Sequence, residues 1–164
     1  EKVLQIAYSK GVPMGSKLKS SNNMPSFFIW AKRDPIDAPL EKVQIIKGWT
    51  VNGETYEKVM DIACSNGPVD EETGFCKETE ATVDLRNCST SENVGSEEIK
   101  VQWSDVNYSL NQNAFYYVRV IQNPTCRWST YDSLRIGKQI PEDFPPTVNE
   151  MAWSSPIWIS KTLQ

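Results

Sequence analysis

Residues 42–63 read KVQIIKGWTVNGETYEKVMDIA, and this stretch decides the fold class. Apolar residues alternate with polar ones on both sides of Asn52-Gly53, as they do in half-buried strands. Asn-Gly between two such runs is the strongest short-range signal for a two-residue hairpin turn. The sequence therefore predicts an antiparallel β-hairpin here.

Strand patterns continue on both sides of this hairpin. Residues 27–31 form a short apolar run that predicts a strand buried on both faces. Residues 98–103 alternate and predict a half-buried strand, whereas residues 114–122 predict a central strand that ends at Asn123-Pro124. A last strand is expected at 157–159. Short strands separated by turns and long loops favour an all-β fold, an immunoglobulin-like β-sandwich.

Helix signals are few, and no domain boundary divides the chain. Ser129 and Asp132 have capping-box spacing and Gly137 follows, which predicts one or two helical turns. The 164 residues suit a single domain. We expect residues 1–25 to lead into it and the Pro-rich stretch 138–156 to cross its surface as a loop. Because the chain starts at Glu1 without a signal peptide, we interpret it as a piece of a longer protein.

Composition excludes several function classes. The chain has no histidine, so it cannot build histidine triads, histidine general bases or histidine-rich metal sites by itself. Its net charge of −4 argues against nucleic acid and anionic membrane as partners. No apolar run approaches the length of a membrane span. We predict no cofactor and no metal.

The four cysteines allow three pairings. None forms a C-x-x-C motif, so two disulfides are favoured over a zinc site, and reduced thiols remain the alternative. Pairing Cys64 with Cys76 would close a polar loop, and pairing Cys88 with Cys126 would join two strand ends. Disulfides would place the protein outside the cytosol, in a secreted or periplasmic setting.

The acidic side chains offer two further chemistries. The loop at 70–74, with Asp61 and Asp84, could supply oxygen ligands to calcium, but it does not follow the EF-hand pattern, and a solvated loop is favoured. A carboxylate pair could support glycoside hydrolysis. No spacing among the 21 acidic residues singles out such a pair.

Residues 127–132 hold the densest cluster of side chains suited to recognition. Arg127, Trp128, Tyr131 and Asp132 combine a guanidinium, two amphipathic aromatic rings and a carboxylate beside a proline turn. They could contact a sugar, a phosphate or a neighbouring domain. The alternative is a loop fixed by its own Arg–Asp pair with Trp128 packed beneath it. We expect the remaining tryptophans to pack in the core or at strand edges, whereas an exposed pair would indicate a binding platform. They are Trp30, Trp49, Trp103, Trp153 and Trp158.

The segment from 115 to 135 (FYYVRVIQNPTCRWSTYDSLR) also carries a family resemblance. It resembles the C-terminal part of the bacterial family catalogued as domain of unknown function thirty-six hundred and four. Further matching stretches are 8–15 (YSKGVPMG), 43–49 (VQIIKGW), 81–85 (ATVDL) and 152–158 (AWSSPIW). The resemblance implies an exported parent protein whose preceding region is similar to PHP metal-dependent phosphoesterases and holds the metal-binding histidines.

Three functional hypotheses follow. The first is a non-catalytic accessory domain that caps or completes a PHP-like hydrolase, with the 127–132 cluster at the contact with the catalytic part or its substrate. The second is an independent extracellular module that binds glycans or self-associates through exposed edge strands. The third is a small hydrolase, which would require two convergent, buried acids in a cleft.

Overall fold

The computed structural model describes residues 2–19 and 24–160. Strands dominate, and both described helices have nine residues, so the predicted all-β, sandwich-like class is confirmed. The elements are α1 (Lys2–Lys10), β1 (Lys17–Lys19), β2 (Ser26–Lys32), β3 (Leu40–Val51), β4 (Glu54–Cys64), β5 (Val83–Asp84), β6 (Ser89–Thr90), β7 (Glu98–Ser104), β8 (Asn113–Gln122), β9 (Thr125–Cys126), α2 (Trp128–Ile136), β10 (Thr147–Val148), β11 (Met151–Trp153) and β12 (Ile157–Ser160).

The predicted hairpin is confirmed as β3 and β4. The pairing runs to Val51 opposite Glu54, which leaves Asn52 and Gly53 as a two-residue loop. Both loop residues have positive φ, 52° and 87°, which is the conformation that a type I′ turn requires. This turn matches the twist of the flanking strands, so the Asn-Gly sequence sets the register of the long β3–β4 pairing.

The hairpin belongs to a six-stranded sheet with the order β1-β12-β8-β3-β4, in which β11 also pairs with β8. Strand β8 lies between β3 on one side and β11 and β12 on the other, which confirms the predicted central strand. The predicted strands at 98–103 and 157–159 are also confirmed, as β7 and β12.

A two-stranded sheet, β2 with β7, forms the second and smaller layer. Alternate residues of its strands, including Phe27, Ile29 and Ile99, join the core formed with the large sheet. The large sheet contributes Val43, Ile45, Ala114, Tyr116 and Ile159 to the same cluster. The sandwich is therefore asymmetric, with a wide layer facing a narrow one.

The prediction that residues 27–31 are buried on both faces is wrong. Phe28 and Trp30 are 42% and 48% exposed, because only one face of β2 meets the large sheet. On the other face, the Trp30 Nε1 donates to Glu98, and the Lys100 ammonium lies 4.3 Å from the centroid of the Trp30 ring. A run of apolar residues does not show whether a strand is buried on both faces or on one face only. In the second case, side chains of the neighbouring strand can partly cover the exposed face.

The predicted helix is present as α2, and Gly137 ends it with φ 66° in the left-handed region. The capping box is wrong, because the residue that precedes the helix is Arg127 and no side chain caps the N-terminus. Within residues 1–25 the structure places helix α1 and strand β1, and within 138–156 it places β10 and β11. Residues 1, 20–23 and 161–164, which belong to the predicted 1–164 domain, lie outside the described residues.

Candidate functional site

The 127–132 cluster lies on helix α2 and on the residue before it. The side chain of Trp128 is 74% exposed and that of Tyr131 is 45% exposed, while Asp132 is also exposed and Arg127 is half-buried. Positions 128, 131 and 132 are spaced by three and four residues, so they share one face of the helix. The structure thus brings the predicted residues together and displays two aromatic rings to solvent.

A disulfide and two hydrogen bonds fix the backbone at the start of α2. The Cys88–Cys126 disulfide anchors the strand that leads into α2. Thr130 is fully buried and its hydroxyl donates to the Pro146 carbonyl at 2.7 Å, while the Arg127 Nε donates to the Pro145 carbonyl at 3.0 Å. These contacts fix the backbone beneath the exposed rings, so the rings are pre-positioned for a partner.

The alternative view of the cluster, an internal Arg–Asp pair above a packed tryptophan, does not match the structure. The ion pairs of the described residues do not include Arg127 with Asp132, because the Arg127 Nε donates to a backbone carbonyl. Trp128 points to solvent instead of packing under the loop.

The other tryptophans divide into two groups. Trp49 and Trp103 pack against the core as predicted. Trp30, Trp153 and Trp158 lie outside the core and are 48%, 60% and 45% exposed. Trp30 and Trp153 stand on β2 and β11, which each pair with one strand, so these two occupy sheet edges. Their strands have one face outside the narrow contact between the two sheets.

Trp30 and Trp153 line one cleft of about 1330 Å³ on the open side of the sandwich. The cleft lies between β2 and the strands β8, β11 and β12, and residues of the segment 6–14 contribute to its wall. Phe28, Val118 and Ile157 also line it. Such an apolar surface suits contact with apolar groups of a ligand or of another polypeptide.

Three acids are buried, Glu41, Asp61 and Asp105. Glu41 and Asp61 approach each other only across the Lys42 ammonium, which lies 3.5 Å and 3.6 Å from their carboxylates and bridges them, so they do not form the free pair that a small hydrolase would need. Asp61 lies opposite Gln44 on the outer face of the large sheet, whereas Asp105 binds Lys47, which belongs to the inner face. In an antiparallel sheet, residues three positions apart point to opposite faces, so Gln44 and Lys47 separate the carboxylates of Asp61 and Asp105.

Each of these two acids already has partners. Asp61 accepts from the Gln44 amide and from the Cys76 N–H, and the Lys42 ammonium lies 3.6 Å away. Together with the Cys64–Cys76 disulfide, these bonds fasten the loop that follows β4 to the sheet. These bonds hold the loop in place and leave Asp61 no free carboxylate oxygen directed at a cleft. No sequence pattern predicted this network.

The carboxylates suggested as calcium ligands are engaged in local hydrogen bonds. Asp70 accepts from the backbone and the hydroxyl of Thr73, which lowers the pKa of its carboxyl. Hydrogen bonds from Arg86 lower the pKa of Asp84 to about 2. Among the described residues, no three metal-binding side chains converge on one point.

Comparison with known proteins adds one match. A family model described as "Protein of unknown function (DUF3604)" covers residues 1–161. The chain belongs to the DUF3604 family. No curated protein and no solved structure matches it. The resemblance seen in the sequence is thereby confirmed for the family, whose description names no activity.

The cysteines bear on the compartment in which this DUF3604 domain folds. The two disulfides that the sequence predicts are present, and of the three possible pairings the structure has Cys64–Cys76 and Cys88–Cys126, which leave no free cysteine among the described residues. Two disulfides in one small domain are typical of proteins that fold in an oxidising compartment. Neither described helix is long and apolar enough to cross a bilayer.

The DUF3604 chain also buries a charged network in its core. The Lys47 ammonium donates to Asp105 at 2.5 Å, and the Tyr116 hydroxyl donates to the same carboxylate oxygen at 2.7 Å. The Lys47 nitrogen also lies 4.9 Å from the centroid of the Trp49 ring. With its amide oxygen turned toward these donors, Gln112 accepts from Lys47 at 3.1 Å.

Tyr116 should stay protonated in the folded DUF3604 chain at a pH where an ordinary tyrosine ionises. Burial, and then the hydrogen bond to Asp105, raise its pKa far above the usual value. A raised folded-state pKa stabilises the fold below about pH 10, and this contribution falls as the pH rises further. In an absorbance titration, Tyr116→Phe should leave the native tyrosinate signal near pH ~10.5 unchanged but reduce the signal in urea. A reduced native signal would contradict the buried hydrogen bond.

Proposed function

We propose that this chain is a non-catalytic accessory domain of a longer, exported protein, and that it docks onto a PHP-like metal-dependent hydrolase. The contact is the face of helix α2 that carries Trp128, Tyr131 and Asp132, with Arg127 at its base. The observation that carries the proposal is the 74% exposure of Trp128 on a helix whose backbone is fixed from below.

Exposed aromatic rings on a rigid support favour association. Tryptophan and tyrosine are enriched among the residues that contribute most to binding free energy at interfaces. Because the disulfide and the Thr130 hydrogen bond already order this face, docking would require little further loss of conformational entropy. Arg127 and Asp132 lie at the edge of the aromatic pair, where charged groups contribute orientation and specificity.

The non-catalytic assignment rests on the composition of the chain. PHP-like chemistry needs histidine ligands for its metals, and this chain has none. The family resemblance of the sequence implies that those histidines would lie in a region before this domain. The two disulfides agree with export to a secreted or periplasmic location.

The proposal predicts that Trp128→Ala with Tyr131→Ala weakens binding of this domain to the separately prepared upstream region. We expect a loss of at least about tenfold in affinity by isothermal titration calorimetry, because the two rings would leave the interface. The matched control is Phe75→Ala, which removes a 51% exposed ring from the loop closed by the Cys64–Cys76 disulfide. The proposal fails if the double variant binds as tightly as the unchanged domain, or if this chain alone shows metal-dependent phosphatase turnover.

The alternative function is that of an independent extracellular module, which would either self-associate or bind glycans. The outermost strands of the large sheet are β1 and β4. Strand β1 carries Lys17 and Lys19, and the exposed end of β4 carries Glu54, Glu57 and Lys58. Charged side chains along an edge strand oppose edge-to-edge pairing. Self-association through these edges is therefore disfavoured, and glycan binding is the part of the alternative that an observation favours.

A further inference from the structure

The outer face of the large sheet carries an aromatic and polar patch near the hairpin end. Strand register places Trp158 opposite Phe115, Phe115 opposite Gly48, and Gly48 opposite Glu57. Residues that face each other across antiparallel strands point to the same side of the sheet. This row crosses four strands on the side away from the core.

A second row lies two residues along the same strands. Asn113 is opposite Thr50, and Thr50 is opposite Thr55. Because side chains alternate with a period of two, this row points to the same side as the first. We call the two rows together the outer-face patch: Trp158, Phe115, Gly48, Glu57, Asn113, Thr50 and Thr55.

Gly48 gives the patch its shape. A Cβ atom at this position would collide with the ring of Phe115, so that ring occupies the space which a side chain at 48 would fill. The Trp158 ring is tilted by 48° to the Phe115 ring, with 5.2 Å between the centroids. The result is a depression of about 450 Å³ lined by the patch. Its volume lies in the range of small-ligand sites.

We propose that the outer-face patch binds a neutral saccharide. Trp158 is 45% exposed and, with Phe115, provides apolar ring surface on which the C–H face of a sugar can stack. Thr50, Thr55, Asn113 and Glu57 supply hydroxyl, amide and carboxylate groups that suit the hydroxyls at a sugar rim.

Charge decides the class of saccharide. Among the described residues that line the depression, none is basic, and Glu57 is acidic. An acidic sugar seated in the depression would meet the Glu57 carboxylate, whereas Lys17, the basic residue of this row, lies at the opposite end beside Trp158. This distribution favours a neutral sugar over a phosphorylated, sulfated or uronic-acid one. The depression lies on a different surface from helix α2, so this inference does not depend on the docking proposal.

The test is a calorimetric titration of the whole chain with cellohexaose, xylohexaose and chitohexaose, and with a uronic-acid oligosaccharide as the acidic comparison. We expect at least one neutral oligosaccharide to bind with Kd between about 10 μM and about 1 mM, and to change the tryptophan fluorescence. Trp158→Ala should weaken that binding by at least about tenfold.

Two further variants keep the test independent of misfolding. Thr55→Val retains the β-branched shape at an exposed strand position but removes the hydroxyl, and it should weaken binding about threefold. Phe75→Ala removes an exposed ring that lines neither the depression nor the larger cleft, and it should bind within about twofold of the unchanged chain. The proposal is overturned if no neutral oligosaccharide binds at about 1 mM, if only the acidic one binds, or if Trp158→Ala and Thr55→Val both bind normally.

Discussion

Replacing Lys47 with methionine should lower the free energy of unfolding by about 3–5 kcal/mol, because it leaves a buried carboxylate without its cation. Lys47 and Asp105 are both about 5% exposed. Methionine preserves most of the length and the apolar stem of lysine, so the variant loses only the positive charge and the hydrogen bonds that the ammonium makes. Urea denaturation followed by tryptophan fluorescence measures the change.

The matched control is Lys100→Met. Lys100 forms an ion pair with Glu98 at 2.9 Å, but their side chains are 47% and 36% exposed. An exposed pair contributes at most about 1 kcal/mol. Combining Lys47→Met with Asp105→Asn should recover part of the loss, since the second change removes the uncompensated charge. Equal effects of Lys47→Met and Lys100→Met would contradict the buried network.

Removing the Cys88–Cys126 disulfide by a double change to alanine should destabilise the fold by about 4 kcal/mol. Its sequence separation is 38, against 12 for Cys64–Cys76, and a longer closed loop restricts the unfolded chain more. The bond also anchors the strand before helix α2. We therefore expect the backbone amides of α2 to lose protection in hydrogen exchange as well.

The Cys64→Ala/Cys76→Ala variant is the comparison for this loss. It should cost about 3 kcal/mol and leave exchange in α2 unchanged, because that disulfide closes a different loop. The account is wrong in this respect if the 64–76 variant is the less stable of the two, or if α2 exchanges equally in all three proteins.

The sequence predicted those parts of the fold that depend on local chemistry. Asn52-Gly53 sets its own turn geometry, and the alternation of residues 98–103 sets which side chains face the core. Gly137 ends α2 because a glycine adopts the left-handed conformation without strain. Two disulfides could be predicted because the cysteines fall at strand ends and in loops, whereas which cysteines pair depends on the assembled fold.

The remaining features depend on pairing between distant strands. One face of β2 packs on the large sheet, and the other face is exposed at Phe28 and Trp30. No local sequence pattern reveals this, because it depends on the β2–β7 layer having two strands. The outer-face patch needs the register of four strands, including the pairing of Trp158 with Phe115. Lys47 did leave a signal, since it occupies an inward position between Ile45 and Trp49. A charged residue at such a position predicts a buried partner, but not that the partner is Asp105.

The candidate site also combines features that the local sequence predicts with features that depend on the assembled fold. The residue types at 127–132 predicted a recognition surface, and the structure brings them together on α2. Their exposure could not be predicted, because it depends on which face of α2 packs against the rest of the fold, and the buried residues of that helix are Thr130 and Ser133. The sequence did not distinguish the buried tryptophans from the exposed Trp30, Trp153 and Trp158, since burial is a property of the assembled layers.

Oxidative footprinting of Trp128 tests the central claim most directly. Hydroxyl radicals would be applied to this chain alone and to the longer polypeptide that contains it, and labelling at Trp128 and Trp153 would be quantified by mass spectrometry. Docking through α2 predicts that Trp128 is labelled strongly in the isolated domain and at least about fivefold less in the longer protein. Equal labelling of Trp128 in the two proteins would contradict the account.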